Sequence, residues 1–396
     1  QDDVINSTSE DQQAIVYPVI DYHRIFSNGE NSGDLKLTFN AQNLSRKMQA
    51  VSSGRIGGVD GQTGRVTTEL EWKKQIVTDA GLVLTPLLAA RGDLHSYNVD
   101  TATSGLATGN SAARGMVTAG LEVKYPILIA TENSTHVIEP VAQLFVRNDE
   151  SLSGGLPNED AQSFVFDASN LFERDKFSGF DRIEGGTRAN LGVRYDGSFP
   201  NGFLTTAIFG QSFHLDGQNS FAQTDISGAN SGVGADSGLE TNRSDYVGAI
   251  TLDTGTGLSL TAAGRFDKDS FAVQRSTFAA NYSADRFSSS VAHSRIKAQT
   301  GYGSTTDREE VQAAASLKFA NDWSVFGSTT YDIDRSNFTK STAGLSYEDV
   351  CFILTGVYNH THATATAAAS WDVGFRMSFR TLGTIDAGDS PTGRSF

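Results

Sequence analysis

Apolar and polar residues alternate with period two along most of the chain, and helical periodicity is nearly absent. In the last such segment Trp371, Val373, Phe375, Met377 and Phe379 fall on one face, with Asp372, Gly374, Arg376, Ser378 and Arg380 on the other. Leu258, Leu260, Ala262, Gly264 and Phe266 stand against Ser259, Thr261, Ala263, Arg265 and Asp267. Val311, Ala313, Ala315, Leu317 and Phe319 stand against Gln312, Ala314, Ser316 and Lys318. Successive side chains of a pleated strand point to opposite faces, so each segment presents an apolar face to lipid and a polar face to a wet interior.

Turn-forming residues divide the chain into about seventeen such strands of roughly ten core residues each, the length that crosses a bilayer at a tilt. They are centred in 13–26, 34–45, 64–77, 81–95, 113–128, 135–147, 187–198, 202–214, 244–254, 257–267, 271–283, 286–297, 307–319, 323–334, 337–348, 351–360 and 366–382. Brief links at Ser27–Gly33, Asp79–Ala80, Thr131–Asn133, Phe199–Asn201, Asp253–Gly257, Ala284–Asp285, Asn321–Asp322 and Asp349 form one series. The other series holds the longer links, 46–63, 97–112, 148–186, 215–243 and 298–306, together with three brief ones near Lys268, Asn337 and Thr361. Short periplasmic turns alternating with longer external loops are the topology of an outer-membrane barrel. The predicted fold is therefore all-β, an antiparallel transmembrane β-barrel over 1–382 followed by a periplasmic tail over 383–396. An odd strand number departs from the even number of bacterial single-chain barrels, and predicts that further barrel strands precede this region.

Composition agrees with that picture. The chain has 396 residues, 40 Gly, only 7 Pro and 24 Phe, and 38% of it is hydrophobic, as expected when one face of each strand is polar. No run approaches 18 consecutive apolar residues, which excludes a transmembrane helix. A formal charge of −15 argues against nucleic-acid binding, which needs clustered Lys and Arg.

Candidate chemistry is sparse. The single cysteine, Cys351, allows neither a zinc site nor an internal disulfide. His360 and His362 lie at an external turn with no third ligand nearby. Phosphate-binding glycine motifs and a nucleophile elbow are missing. Glu159, Asp160, Asp181 and Glu184 are candidates for a glycosidase pair, but nothing in the sequence enforces the separation such a pair requires. Neither an enzyme nor a cofactor is predicted. Gly228–Gly238 reads as flexible loop by composition. The 148–186 link differs, because it carries Phe164, Phe166, Leu171, Phe172, Phe177 and Phe180 among polar residues. So apolar a loop is predicted to fold back over or into the lumen, with Asp160, Asp181 and Arg182 in polar contacts.

One stretch carries a family resemblance. Ile138-Glu139-Pro140 opens a strand, followed by Leu156-Pro157-Asn158-Glu159-Asp160 and Asn170-Leu171-Phe172. Next come Phe177-Ser178-Gly179-Phe180-Asp181-Arg182-Ile183-Glu184-Gly185-Gly186 and Arg188-Ala189-Asn190-Leu191-Gly192. In order, spacing and residue type this resembles the central barrel signature of the LptD family of lipopolysaccharide-assembly proteins. The segment Leu345–Phe352 resembles the turn that carries the family's cysteine site, with Val350 in place of the first of two adjacent cysteines.

The resemblance implies a C-terminal barrel fragment, lacking the family's periplasmic jelly-roll and first strands. It implies an outer-membrane component that inserts lipopolysaccharide into the outer leaflet, with the lipoprotein LptE as plug and a periplasmic Lpt bridge as supplier. Pro157, Asn158, Glu159, Asp160, Gly179, Asp181, Arg182 and Gly185 would shape the lumen. Cys351 would pair with a cysteine of the N-terminal domain. The last strand would border the lateral exit, with Asp372, Arg376 and Arg380 facing the passing head group. Asp372, Gly374, Met377 and Phe379 resemble the signal read by the barrel-assembly machinery. The alternatives are a general diffusion porin, which the 138–193 signature disfavours, and a secreted β-rich hydrolase or adhesin, which the bilayer-length strands disfavour.

Overall fold

Each predicted strand corresponds to a strand of the computed structural model. The structure describes residues 10–379 and 383–387, apart from 28, 30–31, 53–54, 101–105, 108, 153, 162–163, 225, 227–233, 303 and 364–367. Seventeen strands have eight or more residues: Ile15–Ser27, Asp34–Arg46, Gly61–Lys73, Val83–Asn98, Ser111–Lys124, Thr135–Arg147, Thr187–Ser198, Leu204–Asp216, Tyr246–Asp253, Leu258–Phe266, Val273–Ser283, Phe287–Ile296, Arg308–Lys318, Trp323–Asp332, Asn337–Glu348, Phe352–Thr361 and Ser370–Phe379. Each pairs antiparallel with the next in sequence, so the sheet is one continuous meander. Gly383–Ala387, at the head of the expected tail, is a short strand laid antiparallel on Ser370–Phe379. Among the described residues no ladder joins Ile15–Ser27 to the last strands, so the sheet has two open edges.

The faces follow the sequence parity. Leu88, Leu94, Val117, Leu144, Val146, Leu191, Phe278, Val291, Val325, Leu345 and Phe375 all lie exposed on the outer face. Aromatic pairs border that face. At the short-turn end stand Tyr282 with Phe287, and Trp323 with Tyr347, their centroids 6.2 and 5.0 Å apart. At the loop end stand Phe266 with Phe271 at 4.9 Å and Tyr331 with Phe338 at 5.0 Å. Phe338 and Tyr347 lie one residue inside the two ends of the strand Asn337–Glu348, at opposite borders and nine residues apart. That is about 30 Å of strand, or about 23 Å of membrane depth at a tilt near 40°, close to the apolar band of an outer-membrane barrel.

Apolar residues buried together lie on the inner face instead. Val141 and Val247 come from strands, while Phe164, Phe166, Leu171, Phe172, Phe177, Phe221 and Leu239 come from two loops at the same end. The core of this molecule is a plug made by its own connections.

Candidate functional site

The loop between Arg147 and Thr187 owes its position to its own sequence. Leu156, Phe166 and Leu171 are fully buried, and each such side chain contributes about 1.5–3 kcal/mol when removed from water. Glycines on the strands beneath make room for it. A Cβ at Gly210 would stand 2.7 Å from the Leu171 side chain, and one at Gly192 would stand 3.1 Å from the Phe172 ring.

Two signature segments within this loop clasp each other. The Asp181 carboxylate accepts the backbone N–H of Glu159 at 2.7 Å and of Asp160 at 3.1 Å. In return, the Asp160 carboxylate accepts the N–H groups of Phe180 and Asp181, both at 2.9 Å. Gly179 makes the crossing possible: its φ is +73°, and a Cβ there would collide with the Asp160 carboxyl. Burial, with the Asp181 charge alongside, pushes the Asp160 carboxyl above its ordinary range despite the nearby Arg65 and the two N–H donors.

The sheet meets the clasp with arginines. Arg65 pairs with both Asp181 and Asp160, and Arg46 forms a two-pronged pair with Glu159, each contact at 2.7 Å. Arg91 and Arg114 flank Asp93, and both donate to the Phe180 carbonyl. Arg147 and Arg188 pair with Glu184. These six cations come from six different strands, all toward the loop end. One loop that reaches strands from Asp34–Arg46 to Thr187–Ser198 requires the sheet to curve around it.

Glu184 is wholly buried. Burial raises its pKa, but Lys176, Arg147, Arg188 and the Lys176 backbone N–H outweigh that and bring it down to about 2. Burial lowers the Lys176 ammonium to about 8, more than Glu184 restores. Its Nζ donates to Asn190 Oδ1 at 3.2 Å, and Asn190 donates to Gln143 at 2.9 Å, which ties the plug to the strand ladder. Near Glu184, a Cβ at Gly185 would lie 2.9 Å from the Glu150 backbone nitrogen.

The loop between Asp216 and Tyr246 completes the plug. Phe221 stacks on Phe177 with centroids 4.6 Å apart, and Asn219 donates to the Leu239 carbonyl at 2.9 Å. Ser220 accepts the Gly185 N–H at 2.9 Å. Composition predicts a flexible loop over Gly228–Gly238, yet Gly234 lies against Phe221 and Ser237 is buried. The reason is that flanking Phe221 and Leu239 enter the apolar core, and Gly234 permits the close approach. Residues 228–233 fall outside the described set.

Of the signature residues, Glu159, Asp160, Gly179 and Asp181 converge on Arg46 and Arg65, while Pro157, Asn158, Arg182 and Gly185 are buried around them. The last-strand group stands apart. Six strands, from Val273–Ser283 to Phe352–Thr361, lie between it and Leu258–Phe266. Asp372 accepts a hydrogen bond from Asn359 at 2.9 Å, Gly374 is opposite Val357 and Arg376 opposite Thr355 on the inner face. Met377 and Phe379 have the outward parity, and Arg380 lies outside the described residues. Cys351 is exposed in the tight turn between Glu348 and Phe352, at the short-turn end. Sequence reasoning missed Arg46, Arg65, Arg91, Arg114 and Arg147, and gave Arg188 no role beyond its place in the signature. Their signal is subtle: inner-face parity near the loop end of consecutive strands.

Membrane-length antiparallel strands, an apolar outer face with aromatic borders, and loops folded against a polar inner face define an outer-membrane β-barrel protein. The chain belongs to the LptD family, described as LPS transport system D, which matches residues 2–309. A search of curated proteins finds no significant match. Among solved structures, the ferric enterobactin receptor PfeA of Pseudomonas aeruginosa is 8% identical with a TM-score of 0.47, over 93% of this chain and 64% of that one. The copper transporter OprC is 10% identical with a TM-score of 0.43, again over 93% and 64%. A Rh. blastica porin variant is 13% identical with a TM-score of 0.32, over 95% and 98%. The chain spans about 64% of the length of the first two.

Proposed function

We propose that this chain is the membrane part of a translocon that inserts lipopolysaccharide into the outer leaflet of the outer membrane. The observation that carries the reading is the clasp of Asp160 and Asp181 on Arg65, built from the family signature and set on the inner face. It fills one side of the interior. On the other side the inner face offers Ser290, Gln312, Ser328, Thr342, Ser346 and Asn359, hydrogen-bonding groups suited to sugar, with Glu310 and Lys340 on the same face nearer the loops. The lipoprotein LptE is the partner proposed to share that space.

Asp372 and Arg376 of the last strand then face the head group as it leaves sideways, with Arg380 beyond them. Asp372, with Gly374, Met377 and Phe379, also serves recognition by the barrel-assembly machinery. Cys351, exposed at the short-turn end, pairs with a cysteine of a periplasmic domain that receives lipid from the Lpt bridge. Further strands closing the open edges are part of the proposal, since unpaired backbone groups in hydrocarbon cost several kcal/mol each. A photo-crosslinking residue at Ser378 of the full-length protein should capture newly made lipopolysaccharide in cells. A general diffusion porin would give no such adduct and would change small-solute uptake instead.

A further inference from the structure

The outer face has a feature that the transport route does not use. On the four strands Tyr246–Asp253, Leu258–Phe266, Val273–Ser283 and Phe287–Ile296, register sets two rows of outward side chains. One row runs Ile250, Ala262, Phe278, His293, and the row nearer the short turns runs Leu252, Leu260, Ala280, Val291. Ala262 sits between Ile250 and Phe278, and Ala280 between Leu260 and Val291. The two alanines leave a diagonal groove of about 370 Å³ walled by those larger side chains. Ligand sites typically start at about 300 Å³.

Depth identifies what fills it. Phe266 and Phe271 border the groove toward the loops, and Tyr282 and Phe287 border it toward the short turns. Between aromatic borders the outer face meets hydrocarbon, so the occupant is an acyl chain.

The loop-side end of the groove is polar. His293 lines it, and one rung farther Arg295 stands opposite Ser276. Lys297 is exposed beyond, with its backbone N–H bonded to the Gln274 carbonyl. Arg295 pairs with Asp307 at 3.2 Å and His293 with Glu309 at 2.8 Å. The Arg295 pair is largely exposed, and such pairs contribute little, so a phosphate competes readily for the guanidinium.

We infer that this face docks one phosphorylated glycolipid of the outer leaflet, with an acyl chain over Ala262 and Ala280 and a phosphate at Arg295 and Lys297. That the glycolipid is lipopolysaccharide rests on the transport reading above. The groove itself rests on geometry alone.

The test uses the full-length protein, purified in mild detergent with the lipid it retains, quantified by mass spectrometry. Ala262→Phe with Ala280→Phe fills the groove, and Arg295→Ser with Lys297→Ser removes the cations. Folding is checked by heat-modifiable gel mobility. Each pair should lower retained phosphorylated glycolipid at least fivefold while surface delivery of lipopolysaccharide stays unchanged. A photo-crosslinker at Phe278 of the otherwise unaltered protein should capture the glycolipid in cells, whatever the fate of the groove variants. Equal retention in all variants would overturn the inference, as would capture at Phe278 of uncharged or zwitterionic phospholipid only. Loss of surface delivery on depletion of the protein bears on the transport reading and leaves these outcomes separately readable.

Discussion

Asp160 and Asp181 each hold the other's backbone: every oxygen-to-nitrogen bond of the clasp crosses between the two segments, and Arg65 bridges both carboxylates. Neither segment is a regular element. Their geometry depends on charge-assisted hydrogen bonds, which are about twice as strong as neutral ones.

Asp181→Ala should therefore loosen the plug. It removes acceptors for Glu159 and Asp160 and leaves Arg65 with Asp160 as its one carboxylate, beside the Asn40 amide oxygen. The cost is about 2–4 kcal/mol, or roughly 30- to 900-fold faster protease cleavage within 148–186 where cleavage follows the open population. An unchanged cleavage rate would remove the clasp from the account.

Gly179→Ala tests the crossing itself. A positive φ and the collision with Asp160 together cost about 1–3 kcal/mol. The expected result is a lower melting temperature for the plug, read by the same cleavage assay against temperature, with strand content unaltered.

Phe166→Ala probes the plug's apolar core without touching any charge. A fully buried phenylalanine truncated to alanine costs about 3–5 kcal/mol. The plug should open more often, measured as faster protease cleavage within 148–186. Unchanged cleavage would mean that Phe166 does not hold the loop in place.

Glu184 sets the acid limit. Its folded pKa of about 2 lies below the ordinary glutamate range, so its stabilising contribution is present at neutral pH. That contribution declines as pH falls from about 4 toward 2. Glu184→Gln should remove it at all pH values and leave Arg147 and Arg188 without their carboxylate, at about 3–5 kcal/mol. Cleavage of the plug measured from pH 7 to pH 3 should rise below pH 4 in the unaltered protein and be fast throughout in the variant.

The strands were legible because each one separates lipid from water, and that demand writes itself as alternation along ten residues. Trp371 to Phe379 needs no partner to declare its faces. The loop's apolar residues Phe164 to Phe177 likewise announced burial, while Phe180 lies half-buried against Arg65 and Arg91. The arginine belt did not, because Arg46 and Arg114 are single inner-face residues with no local pattern; only the register of six strands brings them to one loop. The contact of Gly234 with Phe221 was hidden for a related reason: composition does not show which glycine of a rich stretch is pressed against an aromatic ring.

The central claim is lipopolysaccharide delivery, and the most direct test is depletion of the full-length protein in its host while newly made lipopolysaccharide is labelled at the cell surface. The account predicts that labelled lipopolysaccharide stops reaching the surface and accumulates in the periplasm or inner membrane. Normal surface arrival with altered uptake of small solutes would contradict it and make the chain a porin.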